Sequence, residues 1–75
     1  MKMNRDKQLL GQLAKNVKEL RKSLGLSQEG LAFECEIDRT YISKVERGIA
    51  NPSLLILLKI ADVLKVEIKD LLKKK

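Results

Sequence analysis

Apolar residues recur at helical spacing throughout this chain. Leu9, Leu13, Val17, Leu20 and Leu24 follow one another at steps of three and four, the stripe of an amphipathic helix. A first helix is predicted from Asp6 or Lys7 to Ser23, with Gly25 as its stop and Gly11 weakening its early turns. Ser27 reads as the N-cap of a second helix over Gln28–Cys35, with Leu31, Ala32 and Cys35 inward. Asp38 reads as the cap of a third over Arg39–Arg47, ended by Gly48. Ser53 opens a fourth from Leu54 to about Leu64, after a loop closed by Pro52, the single proline. A short fifth helix is expected over Ile68–Leu72.

Only Glu36 and Ile37 separate the second and third helices. Two brief helices joined by so tight a turn make a helix-turn-helix unit, here about residues 28–47. With no internal repeat, low-complexity linker or composition shift, residues 1–75 read as a single all-α domain, a compact five-helix bundle.

Composition adds constraints. A chain of 75 residues has a thermodynamically marginal core, so helix packing and self-association must supply its stability. A disulfide is excluded because Cys35 is the sole cysteine, and it reads as a reduced, buried small hydrophobe. Without histidine, no metal-ligand set or cofactor site is predicted. The balance of 16 Lys+Arg over 10 Asp+Glu, a formal net charge of +6, points to a polyanionic partner. Part of that charge decorates the ends, at Lys2, Arg5 and Lys7 and at Lys73, Lys74 and Lys75, where solubility is an equal explanation. Neither a signal peptide nor an apolar run of membrane-spanning length is expected, which places the chain in the cytoplasm.

On a helical wheel the third helix divides into two sides. Ile42 and Val45 point inward, while Arg39, Thr40, Ser43, Lys44 and Arg47 share an all-polar side carrying three cations. These side-chain types hydrogen-bond base edges and phosphates in double-stranded DNA. A recognition helix reads bases near its N-terminus, so Arg39, Thr40, Ser43 and Lys44 are the base-contact candidates and Arg47 meets a phosphate. Gln28, at the start of the second helix, is a candidate phosphate anchor because free amides and the dipole attract anions there. Ser27 combines its cap with a possible phosphate contact. Asn51 and Ser53, beside the fourth helix, are weaker candidates, and Tyr41 either packs on the scaffold or reaches the DNA backbone.

The stretch Leu20–Leu72 resembles the phage repressor and Cro-like (Xre) helix-turn-helix family. The motifs that carry the likeness are ELRKSLGLSQE, then LA, then DRTYISKVERG, then NPSL and a closing LL. The segment DRTYISKVERG through NPSL is also similar to the controller proteins of restriction–modification systems. The resemblance implies an operator of two half-sites, dimerisation through the C-terminal part, phosphate anchoring by Gln28 and Arg47, and base reading by Arg39, Thr40, Ser43 and Lys44. It also implies an ion pair between Arg21 and Glu46 that fixes the recognition helix. Two positions depart from the family pattern. Glu36 occupies a turn site that often holds glycine, and Gly30 replaces a helix former.

The fourth helix carries more apolar surface than one core needs. Leu57, Ile60, Ala61 and Leu64 form its inward face, yet Leu55 and Leu58 fall on the side of Lys59 and Asp62. With Ile68 of the fifth helix they are the predicted two-fold interface, burial within the monomer being the alternative. The function that follows is that of a sequence-specific, autoregulatory transcriptional regulator acting as a homodimer, without a small-molecule ligand. An antitoxin-type protein of the same fold, whose main partner is a toxin, is the second reading. A membrane binder is disfavoured because the basic face lacks Trp or Phe anchors. An enzyme is excluded by the lack of a nucleophile–base pair or a phosphate loop, with Glu19, Glu29 and Asp62 read as solvated helix charges.

Overall fold

The computed structural model describes residues 4–74. It contains five helices: α1 (Arg5–Ser23), α2 (Gln28–Cys35), α3 (Arg39–Glu46), α4 (Leu54–Leu64) and α5 (Ile68–Leu72). Each of the first four opens on a side chain that accepts a backbone N–H of its first turn. Asn4 takes Lys7 N, Ser27 takes Gly30 N, Asp38 takes Thr40 N and Ser53 takes Ile56 N. These caps relieve the orphan amides that every helix start leaves. α1 therefore starts at Arg5, a residue or two earlier than the hydrophobic pattern indicated, and runs unbroken through Gly11. α3 ends one residue early, with Arg47 as its cap.

The same four helices also end alike. A residue in the left-handed region turns the chain, and the next amide reaches back to a carbonyl five residues earlier: Leu26 N to Arg21 O, Ile37 N to Ala32 O, Ile49 N to Lys44 O, and Val66 N to Ala61 O. The turning residues are Gly25 and Gly48 in two cases, but Glu36 (φ 58°) and Lys65 (φ 62°) in the others. Glu36 thus adopts the conformation for which glycine would be favoured, without altering the turn.

α1 packs on α3 and α5, α2 on α3 and α4, and α4 on α5. Leu13, Val17, Leu31, Ala32, Cys35, Ile42, Val45, Ala50, Leu57, Ile60, Ala61, Leu64 and Leu71 form one core. The predicted α1 stripe outruns it. Leu9 and Leu24 are 45% and 44% exposed, because a 19-residue helix is longer than the core it covers.

One polar cluster penetrates this interior. Arg21 of α1 and Glu46 of α3 are both buried and form a two-pronged ion pair, Nε to Oε2 at 2.6 Å and Nη2 to Oε1 at 3.0 Å. Arg21 Nη1 also donates to the carbonyl of Leu26, 2.7 Å away, in the α1–α2 loop. Gln28 Nε2 gives Glu46 Oε1 a further hydrogen bond at 3.0 Å. Such a forked guanidinium–carboxylate contact specifies orientation as well as proximity.

Truncating one member strands the other charge in a low-dielectric site, at a cost of about 3–5 kcal/mol. That approaches the whole stability of a small domain. Glu46→Ala is therefore expected to lower the thermal midpoint by more than about 12 °C. Arg21→Met/Glu46→Leu together should recover most of the loss, both read by circular dichroism melts.

Cys35 is buried, and its thiol lies 3.8 Å from the carbonyl of Lys59. Burial pushes its pKa up from 9.0 to about 11, against a smaller lowering by Lys59. The folded state holds the proton more tightly than the unfolded one, so this stability is complete below pH 9 and fades as pH rises towards 11. Iodoacetamide at pH 8 should label native Cys35 far more slowly than the denatured chain. Equal rates, followed by mass spectrometry, would contradict the burial.

Candidate nucleic-acid interface

The network just described sets the pose of α3. Ile42 and Val45 are sunk in the core and Glu46 is locked to α1, so three of the eight residues of the helix fix its rotation. The opposite arc is what remains outside. Arg39, Thr40, Lys44 and Arg47 are exposed and Ser43 is half-buried. The structure thus gathers the four base-contact candidates and Arg47 on one continuous strip, with Asp38, the helix cap, at its leading end. Three cations along a single helical face present a positive edge of the kind that tracks a phosphate backbone.

The flanking candidates are placed less uniformly. Ser27 Oγ is occupied as a cap by Gly30 N at 2.9 Å. A Cβ at position 30 would stand 3.3 Å from that hydroxyl, so glycine leaves room for the cap and its unfavourable propensity has a steric counterpart. Gln28 is half-buried, and one of its N–H groups is committed to Glu46. Its second N–H and its own backbone amide, at the start of α2, stay available to an anion. Tyr41 is half-buried against the core rather than free on the strip. Asn51 is exposed in the α3–α4 loop, whereas Ser53 Oγ accepts Ile56 N at 3.2 Å.

Of the dimer candidates, Leu55 and Leu58 lie on α4 and Ile68 opens α5. Leu55 and Leu58 are 71% and 45% exposed, so burial within one chain does not account for them. Ile68 is half-buried and packs partly on the core. Leu58 and Ile68 line one groove between α4 and α5 with Ala61, Asp62, Val66, Glu67 and Lys69. Leu54, 69% exposed, extends the apolar strip and was signalled by its position one turn before Leu58.

The sequence reading passed over Asn16. It is 1% exposed and donates from Nδ2 to the carbonyls of Leu71 and Lys73, each at 2.9 Å. Its spacing, three after Leu13 and four before Leu20, does place it on the inward stripe of α1, but its partners, 55 and 57 residues away, give no local signal. Among the described residues no group of acidic, Cys or His side chains is arranged to hold a metal ion. No helix of the described residues is long and apolar enough to cross a membrane.

Comparison with known proteins places this geometry. The sequence profile of the helix-turn-helix family matches residues 17–71. Control protein C.BamHI of Bacillus amyloliquefaciens is 52% identical over 64 residues, 85% of this chain and 76% of that protein. The crystal structure of the restriction-modification controller protein C.AhdI from Aeromonas hydrophila superposes with a TM-score of 0.80 at 45% identity, covering 83% of this chain and 94% of that one. The controller protein C.Esp1396I, solved as a tetramer in complex with its natural 35 base-pair operator, superposes with a TM-score of 0.74 at 36% identity, covering 87% of this chain and 96% of that one. A buried Arg–Glu pair behind a cationic third helix, on a five-helix frame shared with these regulators, makes this chain a member of the helix-turn-helix family.

Proposed function

We propose that this protein is a sequence-specific DNA-binding transcriptional regulator that acts as a homodimer on an operator of two half-sites and controls its own promoter. The observation that carries the reading is the exposed strip Arg39, Thr40, Ser43, Lys44 and Arg47 on a helix whose rotation is fixed by buried contacts. A helix held this way enters the major groove as a rigid body. Its N-terminal half, Arg39 to Lys44, then meets base edges, and Arg47 meets the backbone. Gln28, Ser27, Tyr41 and Asn51 flank the strip as phosphate contacts that set the register. A regulator of this kind works in the cytoplasm, on double-stranded DNA, without a ligand of its own.

The exposed leucines of α4 supply the second half of the reading. A two-fold contact through Leu55, Leu58 and Ile68 covers apolar surface that one copy leaves in water. It also carries two recognition helices to a spacing of about 34 Å, one turn of duplex. The operator-bound tetramer of C.Esp1396I supports self-association on DNA in a chain of the same fold.

The test is a titration into the protein's own upstream promoter fragment and into random DNA, at two salt concentrations. Binding to the promoter is expected to be salt-sensitive and at least ~10³-fold tighter than to random DNA. Weak, equal binding to both would remove DNA as the primary partner and leave a protein such as a toxin. Arg39→Ala or Lys44→Ala should cost about 1–3 kcal/mol on the operator and relax specificity, while Arg47→Ala should weaken all sequences alike and flatten the salt slope by roughly one unit. Leu58→Lys should weaken dimerisation and operator affinity together. A monomeric variant with intact operator affinity would refute the need for a dimer on DNA, and a variant that still dimerises would refute the interface.

A further inference from the structure

Among the described residues, Asn16 is the one buried polar residue that the DNA-facing network does not use. Both N–H bonds of its amide are spent on the end of α5 and its C-cap, one on the carbonyl of Leu71 and one on that of Lys73, each at 2.9 Å. Its Oδ1 is buried without a partner. The amide is therefore kept for its donors, at the expense of an unsatisfied acceptor. α5 needs that help. It has five residues, far too few to persist alone in water, and its last carbonyls have no partners within the helix. Its start is closed from within, by Asp70 Oδ2 accepting Glu67 N at 2.9 Å. Its end is closed from α1, by Asn16.

Ile68 and Lys69, at the start of α5, form one wall of the groove that contains Leu58. Asn16 stands on α1, away from that groove, yet it determines whether the wall is in place. We propose that Asn16 is a positioning residue for self-association: it holds α5 on α1 and so presents Ile68 to a second copy without touching that copy. The inference rests on the two-fold interface proposed above. Leu71, fully buried beside the clamp, anchors the helix by packing. The two hydrogen bonds add what packing lacks, a fixed position along the α5 axis. A second copy that is to match Leu58 and Ile68 against themselves requires that position to be fixed, because an isologous contact fails on both sides when one side slides.

The experiment measures hydrogen–deuterium exchange and sedimentation equilibrium on the full chain, for the wild type, Asn16→Asp and Asn16→Ser. Asn16→Asp preserves shape and turns both donors into acceptors facing carbonyls. Asn16→Ser removes both bonds without burying a charge, and so keeps the test alive if the aspartate does not fold. The expected result is selective. The α5 amides exchange at least about ten-fold faster, the α2 and α3 amides are unchanged, and the dimer dissociation constant rises about ten-fold or more. Faster α5 exchange with an unchanged dissociation constant would overturn the proposal, since α5 would then not govern the interface. Equal acceleration in α2, α3 and α5 would overturn it too, by making Asn16 a general core residue. A wild type that stays monomeric at every concentration overturns the two-fold interface itself, which Leu58→Lys then confirms by changing nothing.

Discussion

A charge pair organises this fold. Arg21 and Glu46 sit where two helices cross, and each makes contacts that neither could make in a different arrangement. The guanidinium spans the carboxylate and the Leu26 carbonyl, so a single side chain ties α1 to α3 and to the loop that launches α2. Gln28 joins from the first turn of α2. Three helices are thereby referenced to one another at one point. A purely apolar core of this size would tolerate a helix rotating or sliding by a fraction of a turn. A forked ion pair with every prong occupied does not. Its net contribution to stability is modest because two ions must be desolvated; its contribution to geometry is large. The strip on α3 has a defined direction because Glu46 does.

The helix ends were the most readable part of the sequence. Ser27, Asp38 and Ser53 each stand where a capping side chain must, and each accepts the amide expected of it. Gly25 and Gly48 announce two of the turns. Glu36 was legible as a left-handed turn position only through the family pattern, which often places glycine there, and Lys65 carries no sign of it. There the bond from the following amide and the burial of the next helix outweigh a backbone penalty of about 1 kcal/mol. The exposed side of α3 was legible from the wheel, since Ile42 and Val45 leave one choice of inward face. The limits of periodicity show at both ends of α1, where Leu9 and Leu24 keep the spacing but run past the core. At Asn16 the spacing gives the inward face, while the carbonyls that make a buried amide tenable lie 55 and 57 residues away.

The distribution of rigid and conditional parts follows the contacts. α1 to α4 interlock through a continuous core and the central ion pair, while α5 is short and held by Leu71 and by Asn16. The face that meets DNA therefore sits on the well-braced part of the molecule. The face proposed for a second copy lies partly on α5, the shortest helix. A change that loosens α5 has its first effect on assembly, with the α3 strip still in place.

The α1–α5 closure also bears on how the protein is made. Its contacts join residue 16 to residues 71 and 73, a long loop for the chain to close and one with a high entropic cost. On the ribosome, α1 emerges early and leaves Leu13 and Val17 uncovered by α5 until the last of these residues has been released. Pairing competence is thus deferred until α5 has emerged and docked. A nascent chain can form its helix-turn-helix unit before then, but it acquires the surface proposed for pairing only once α1 and α5 have closed on one another.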